Sequence, residues 1–408
     1  MIFNKADILL PKLNDYSKWA VVACDQFTSQ PEYWAEVRKI VDDKMSSLHL
    51  ILPEAELSAN NDIRINNINK EMKLYLKKDL FDIYENSYVY VERKLENGKV
   101  RKGIIGTIDL EEYDYSSKSI SGIRATEQTV MDRIPPRVKI RENALIELPH
   151  VLLLMDDQKH QVLESIEMIK DTLPVLYDFD LMQGGGHIKG WLISADKVNI
   201  FEEALNIYLQ ETREKYQKMN KNPMFFAVGD GNHSLAAAKE CYERQKVKLG
   251  SNIKSRYALV ELENLQDDTQ KFEPIHRLLK EVNTEDVLKQ IKEKICVKNS
   301  KNKIEYYTKN EHGILYLDEN LGKLSVGILQ KFLDNYIREN DCFLDYIHDD
   351  EVLKKLSNTS NTIGFLLSAI DKESLFPGIV NDGVLPRKTF SMGHAQEKRY
   401  YIEARKIM

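Results

Sequence analysis

The residues best suited to chemistry lie in one short stretch, Gly229-Asp230-Gly231-Asn232-His233-Ser234. Residues 225–228 before it are apolar and have the length of a buried strand. Residues 236–239 after it, Ala-Ala-Ala-Lys, favour a helix. The two glycines permit positive φ angles, and a helix start presents backbone N–H groups and the positive end of the helix dipole. The pattern predicts a strand–turn–helix unit that binds an anion, most often a phosphate.

A structural interpretation fits the same residues. Asn232 or Ser234 would cap the helix, since these residue types are common caps. The stretch matches neither the dinucleotide-binding G-x-G-x-x-G nor the Walker G-x-x-x-x-G-K-[ST] pattern. The residues alone therefore leave the anion site and the capped turn open.

Two polar side chains of the stretch could take part in a reaction. Asp230 could hold Mg²⁺ or a ribose hydroxyl, because that cation prefers hard oxygen ligands. His233 could donate to a phosphate or act as an acid or base. Ser234 is a poor candidate for a serine nucleophile because the chain has no G-x-S-x-G elbow, and zinc hydrolysis is disfavoured because no histidine pair has H-E-x-x-H spacing.

A second polar group, His348-Asp349-Asp350-Glu351, stands just before the apolar pair Val352-Leu353. Acids in the first turn of a helix stabilise its dipole. We expect residues 346–353 to start a helix whose acids are caps with no metal attached. His276, in EPIHRLL, is expected to precede a helix as a core or capping histidine.

The composition is that of an ordinary globular protein. The 408 residues are 42% hydrophobic and 30% charged, and 58 basic against 64 acidic groups give a net charge of −6. This balance gives no overall attraction to nucleic acid, and no apolar run approaches the roughly 20 residues that cross a bilayer. Four scattered cysteines without a C-x-x-C pair, and a start without a signal-peptide core, favour a cytoplasmic location with reduced thiols.

The remaining elements should position this stretch. Alternating strands and helices with hairpins predict an α+β or mixed α/β fold, with mixed sheets and flanking helices. We expect a main domain over 1–280 carrying the site, and a helix-rich region with closing strands over 281–408. Helices are expected after a capping box at 29–32, over 62–80 and over 196–219. Hairpins are expected from 87–95 with 100–110 and from 174–182 with 187–193, and single strands at 19–23 and 400–404. Residues 111–150 are expected to form a loop followed by a short helix, because Pro135-Pro136 breaks any helix there.

Six ordered segments resemble the domain-of-unknown-function 1015 family of bacterial and archaeal proteins. They are KWAVVACDQFTSQPEYW, IIGTIDLEEYDYSSKSISGIRATEQTVMDR, GDGNHSLAAAK, EPIHRLL, FLDYIHDDEVL and VLPRKTFSMG, and they span nearly the whole chain. The family's D-G-H-H-R motif appears here as residues 230–234, and its I-R-P-H-E pattern as residues 123–127. A more distant resemblance is to ParB and sulfiredoxin-like nucleotide-binding domains, and to a free-serine kinase of that superfamily.

These resemblances imply roles for particular residues. Glu127 would be the catalytic acid or base, with Asp230 and His233 beside it. A phosphate or nucleotide would be bound by Arg124, Gly229, Gly231, Asn232 and Ser234. The chain departs from the pattern at Ser234, where an arginine would clamp phosphate, and at Ala125-Thr126, where Pro-His is usual. Losing an arginine removes a charge-assisted bidentate contact.

The first functional hypothesis is an enzyme that binds a nucleotide such as ATP or ADP, or a phosphorylated metabolite, and performs phosphoryl transfer or hydrolysis with Mg²⁺ at Asp230. The alternative is a non-catalytic ligand-binding or regulatory protein that uses the same turn. Ser234 in place of arginine favours the alternative, and the presence of Glu127 favours the enzyme. In either case the expected partner is a small molecule, with no nucleic acid or membrane, and the oligomeric state stays open.

Overall fold

The computed structural model describes residues 1–58, 60–129, 131 and 134–408. The helices within these ranges are α1 Pro31–Val41, α2 Asp62–Lys77, α3 Ile134–Arg141, α4 Val162–Glu167, α5 Val198–Lys218, α6 Asn232–Leu249, α7 Thr284–Lys294, α8 Ser325–Glu339, α9 Asp350–Ser357 and α10 Lys372–Asp382. The strands are β1 Phe3–Asn4, β2 Ala6–Pro11, β3 Phe81–Lys94, β4 Val100–Asp109, β5 Tyr113–Asp114, β6 Ile123–Ala125, β7 Ile146–Glu147, β8 Leu152–Met155, β9 Val175–Asp180, β10 His187–Ile193, β11 Phe226–Asp230, β12 Tyr257–Asn264, β13 Phe272–Pro274, β14 His276–Lys280, β15 Lys303–Tyr307, β16 His312–Tyr316, β17 Phe343–Ile347, β18 Thr362–Leu366, β19 Phe390–Met392 and β20 Arg405–Lys406.

A large mixed sheet forms the centre of the molecule, in the order β5-β6-β11-β8-β12-β4-β3-β10-β9, with β1 on β4 and β2 on β3. Its middle strands are apolar on both faces, as in Leu152–Met155, because helices and loops cover both sides. α5 and α6 pack on one side with a core that includes Phe201, Tyr208 and Tyr242. The mixed α+β fold predicted from the sequence is confirmed.

A smaller, five-stranded sheet in the order β16-β15-β18-β14-β17 forms a second lobe. α7 and α8 contribute Leu288, Ile291, Leu329 and Leu333 to its own apolar core. Its strands lie between residues 276 and 366, so one continuous segment of the chain forms this lobe.

The end of the chain returns to the first residues. The Tyr401 N–H donates to the Val21 carbonyl at 3.0 Å, and the Trp19 indole N–H donates to the Ile402 carbonyl at 2.9 Å. Tyr400, Tyr401 and Trp19 lie fully or almost fully buried in one core. The predicted boundary at 280 stays a prediction, and these last residues pack with the N-terminal region.

Several helices and hairpins occur where the sequence predicts them. α2 buries Ile65, Ile68, Met72 and Tyr75 as its apolar stripe, and both expected hairpins are present, in β3–β4 and β9–β10. α5 covers most of the predicted range 196–219.

Other local predictions are wrong for identifiable reasons. Residues 19–23 are buried, but apart from a single bridge between Val22 and Tyr400 they form no strand, and 400–404 also lacks one. α1 begins after Gln30 without a side-chain cap, so the capping box is absent. Pro135 and Pro136 lie in the first turn of α3, where a missing N–H costs no helical hydrogen bond. His276 begins a strand, because its apolar neighbours pair with β17 and β18.

Candidate functional site

Two parallel strands bring the sequence-predicted site residues together. β6 pairs with β11, with Ala125 opposite Val228, so both strands end at the same edge of the sheet. Thr126 follows β6, and its hydroxyl donates to the Val228 carbonyl at 2.6 Å. The Asn232 amide accepts from the Thr126 N–H at 3.3 Å and donates to the Thr126 hydroxyl at 3.2 Å. The turn at 229–234 and the segment containing Glu127 are therefore neighbours across about a hundred residues of sequence.

The glycines of the turn are required by its geometry. Gly231 is the N-cap of α6 with φ +85°, a left-handed conformation that side chains rarely adopt. A Cβ at Gly231 would lie 3.1 Å from the Val151 Cα, and one at Gly229 would lie 2.9 Å from the Leu154 Cγ and the Met392 Sδ. The positive φ of Gly231 and the close packing at both positions therefore favour glycine over any residue with a side chain.

A buried ammonium lies at the start of α6. Lys398 is 6% exposed, and its Nζ is 3.5 Å from the Asp230 Oδ2. Burial by itself raises the pKa of Asp25, but His150, Gln26, Arg137 and Lys398 lower the pKa below its ordinary value. The carboxylates of Asp25 and Asp230 thus share the field of one buried ammonium, Lys398.

A hydrogen-bonded chain runs from α6 into the core. The Ser234 Oγ is 2.9 Å from the His150 Nε2, and the His150 Nδ1 is 2.7 Å from the Tyr401 hydroxyl. The His150 Nε2 is also 3.9 Å from the Asp25 Oδ2. Ser234 and the neighbouring half-buried His233 both lie in the first turn of α6.

Glu127 lies beside the turn, but its carboxylate is already engaged. It accepts backbone N–H groups from Lys388 at 3.1 Å, Thr389 at 2.9 Å and Phe390 at 3.3 Å. Burial raises the pKa of Glu127, although these N–H groups and Arg277 act in the opposite direction. Arg277 donates to the Lys388 carbonyl at 3.0 Å. Glu127 and Arg277 thus hold the same loop from two sides.

Arg124 does not face the turn. Its guanidinium donates to the Ser121 carbonyl at 2.8 Å and to the Asn222 carbonyl at 3.1 Å, near the start of β11. Burial lowers its pKa. The resemblance assigned Arg124 to phosphate binding, whereas these contacts tie its charge to backbone carbonyls at the opposite end of the strand.

The second polar group of the sequence is a helix cap, as predicted. The Asp349 carboxylate accepts from the Val352 N–H at 2.9 Å, which places it as the N-cap of α9. The Asp350 Oδ1 is 2.7 Å from the His276 Nε2, while the His276 Nδ1 accepts from the Leu367 N–H at 3.1 Å. Burial lowers the pKa of His348, and the nearby charges of Lys388 and Lys398 act in the same direction.

Sequence reasoning missed Lys398, Asp25, His150 and Tyr401. A signal was present for Asp25, which follows the apolar run WAVVAC and so carries a charge into a buried segment. Lys398 stands in a polar stretch with no pattern that would place it beside residue 230.

Two kinds of feature are absent from the described ranges. No cluster of three His, Cys, Asp or Glu side chains there could hold a metal ion. No helix in those ranges combines the length and apolar character that a membrane span requires.

This mixed-sheet protein, with a glycine turn leading into a helix, is matched by a family model described as "Protein of unknown function (DUF1015)" over residues 9–336. The chain belongs to that family. No curated protein matches it.

Solved structures with similar folds have low identity. A free serine kinase in complex with AMP is 13% identical, with 74% of this chain and 91% of that chain covered and a TM-score of 0.39. SbnI from Staphylococcus aureus, with a C-terminal truncation, is 8% identical over 71% and 82% of the two chains, with a TM-score of 0.38. A conserved hypothetical protein from Pyrococcus furiosus is 12% identical over 72% and 90%, with a TM-score of 0.35. These likenesses establish neither an activity nor a ligand, and a ParB or sulfiredoxin-like core is not shown.

Proposed function

We propose that this protein binds a nucleotide such as ATP or ADP, or a phosphorylated metabolite, at the start of α6 and catalyses phosphoryl transfer or hydrolysis there. The observation that carries the proposal is the buried Lys398 ammonium, 3.5 Å from Asp230 at a glycine-capped helix start. A helix start attracts anions through its N–H groups and dipole. Lys398 supplies an ammonium beside the turn, in a chain that has Ser234 in place of the arginine of the resembled motif.

Within this proposal the turn residues Gly229, Gly231, Asn232 and Ser234 shape the phosphate site, and His233 adds a donor, acid or base. Asp230 is better placed than Glu127 to accept a proton from a substrate hydroxyl. The Glu127 carboxylate accepts three backbone N–H groups, so we assign it to positioning the loop 388–390 beside the turn.

The donor set is compatible with Mg²⁺ bound together with a substrate. Mg²⁺ in phosphate sites often has one or two carboxylate ligands, with substrate phosphates and water completing the set. Asp230 would be such a ligand, and the ion would supply neutralisation of phosphate charge. The protein's own part is to bind and orient the phosphate between Lys398 and the first turn of α6.

A second candidate function is binding without turnover. The Glu127 carboxylate favours it, because its oxygens already accept three backbone N–H groups of the loop 388–390. The pairing of Asp230 with Lys398 favours it as well, since the ammonium already occupies this carboxylate at 3.5 Å.

Turnover of ATP, with and without Mg²⁺ and a panel of small hydroxyl acceptors, separates the two functions. In the enzyme, Asp230→Asn should abolish turnover while ADP binding persists, because the amide keeps the size but loses the basicity. Asp345→Asn is the matched control, since Asp345 also pairs with a lysine, Lys280, at 2.8 Å in the second lobe. Binding of ADP without turnover by the wild-type protein would support the non-catalytic function, and undiminished turnover in Asp230→Asn would contradict the assigned role.

Binding itself is tested by thermal shift against phosphate, nucleotides and phosphorylated metabolites. A ligand at 100 times its Kd should stabilise the protein by about 2.7 kcal/mol. Absence of stabilisation by every phosphate compound would contradict both functions.

A further inference from the structure

A cavity of about 140 Å³ lies beside the first two turns of α6. Its walls are mostly apolar and include Leu52, Met72, Ile140, Ala237 and Leu259. An apolar cavity of roughly 150 Å³ can hold a benzene molecule. The space therefore suits an apolar group the size of one aromatic ring.

One end of this cavity is polar and is formed by His150, Ser234 and Tyr401. The Tyr401 hydroxyl accepts from the Cys24 N–H at 3.3 Å, so we assign its own hydrogen to the His150 Nδ1. His150 then carries its proton on Nε2 and donates to the Ser234 Oγ. In this tautomer His150 does not accept the Ser234 hydroxyl hydrogen. That hydrogen can therefore be donated to an oxygen atom of a bound molecule.

A buried donor on the same cavity lacks an acceptor. Among the described residues, no hydrogen-bond partner pairs with the Arg141 Nε, although the Arg141 Nη2 is 2.5 Å from Glu147. Leaving a buried donor unpaired is unfavourable. The Arg141 Nε itself is buried, so the half-buried Ser234 is the donor that a molecule in the cavity would meet.

The charges along the wall compensate one another. Arg137 pairs with Glu54, and Arg141 pairs with Glu147, which also binds Arg405 at 2.7 Å. Each of these arginines therefore has a carboxylate partner, and most of the remaining wall is apolar. A second phosphate or another charged group is a poor occupant, because no unpaired charge compensates its desolvation.

The cavity adjoins the proposed phosphate site at Ser234. Ser234 belongs both to the first turn of α6 and to the cavity wall, and His150 lies 3.9 Å from Asp25, which in turn senses Lys398. We infer that the ligand of this protein has an uncharged, largely apolar body of about one ring with an oxygen acceptor, and that this body fills the cavity while its phosphate lies at the start of α6. The inference rests on the proposed function and adds the class of substrate.

Three phosphate compounds test it: phenyl phosphate, glycerol 3-phosphate and inorganic phosphate. The wild-type protein should bind phenyl phosphate at least about tenfold tighter than glycerol 3-phosphate, as expected when a pocket accepts an extra apolar group. Ala237→Leu should fill the cavity and remove this preference while leaving the affinity for inorganic phosphate unchanged. Ile140→Trp, at a half-buried wall position, fills the same space by a second route if the first variant folds poorly.

Ala35→Leu on the exposed face of α1 is the matched control and should bind like the wild type. Equal affinity for the two esters, or a preference that survives in both filled variants, would overturn the inference while leaving the phosphate site in place. Failure of all three phosphate compounds to bind, with phenol still bound by the wild type and excluded by Ala237→Leu, would overturn the proposed function and leave the apolar cavity as a binding site.

Discussion

The helices α6 and α9 both begin near carboxylates and histidines, yet their first turns are completed differently. At α9 the Asp349 side chain accepts the Val352 N–H, and Asp350 pairs with His276, so the polar groups of that start satisfy one another. At α6 the N-cap is Gly231, which has no side chain, and the nearby Asp230 faces the buried Lys398 at 3.5 Å.

A missing side-chain cap does not distinguish α6 by itself, because α5 and α8 lack one too. The difference lies in what surrounds the first turn. At α9 the acids are engaged by a backbone N–H of the helix and by His276, whereas at α6 the acid before the N-cap, Asp230, is paired with the buried Lys398. The proposed function places a phosphate beside this ion pair, so the comparison sets a helix start of structural role against one that we propose to bind an anion.

The largest expected effect on stability comes from Gly231→Val. Gly231 has a left-handed φ, and a Cβ at this position would lie 3.1 Å from the Val151 Cα. Together these two effects should reduce the free energy of unfolding by roughly 2–4 kcal/mol. Gly98→Val is the control, since Gly98 has φ +80° with open space around it and should show the backbone strain alone. Denaturant unfolding of both variants measures the difference, and equal losses would show that the contact with Val151 costs nothing.

Removing the cap of α9 should have a smaller effect, confined to stability. Asp349→Ala should lower the free energy of unfolding by about 1 kcal/mol, and Asp349→Asn should lose much less, because asparagine also caps. Phosphate binding should be unchanged in both. A loss of phosphate affinity in Asp349→Ala would mean that the two helix starts are not functionally distinct.

The smallest effect concerns the pH dependence of the loop beside α6. The raised pKa of Glu127 means that the folded protein binds more protons than the unfolded chain above the carboxyl's ordinary pKa. Its contribution to stability is therefore present at low pH and decreases as the pH rises through the raised pKa. Glu127→Gln should weaken this dependence, so its stability relative to the wild type should increase from pH 4 to pH 7.

Glu305→Gln, at an exposed position on β15, is the control for that pH series. A constant difference between Glu127→Gln and the wild type across the range would show that the Glu127 carboxyl is not perturbed by burial.

The sequence predicts well those features that depend on local patterns. The apolar stripe of α2, the hairpin at Gly98 and the strand–turn–helix at 226–249 each follow from spacing within one element. The apolar segments 19–23 and 400–404 are predicted as strands. In the structure they are buried because they pack against each other, and a single β-bridge, Val22 with Tyr400, joins them. Periodicity cannot distinguish these cases.

The site is less predictable because its charges come from distant segments. Asn232 and Thr126 are adjacent through parallel strand pairing, as the two motifs predicted. Lys398 is brought to Asp230 and Asp25 by the returning C-terminal segment. For Arg124 the resemblance implied a phosphate contact, but the guanidinium donates to backbone carbonyls instead. The charge partners of a residue depend on tertiary packing, which a single sequence does not reveal.

The central claim is tested most directly by calorimetric titration of ADP, with inorganic phosphate as a second probe, into wild-type protein, Lys398→Met and Lys280→Met. Lys280→Met removes a lysine from a carboxylate pair in the second lobe and should bind like the wild type. Lys398→Met should bind both probes at least about tenfold more weakly, the loss expected for one charge-assisted hydrogen bond. Equal affinities in all three proteins would contradict an anion site at the start of α6.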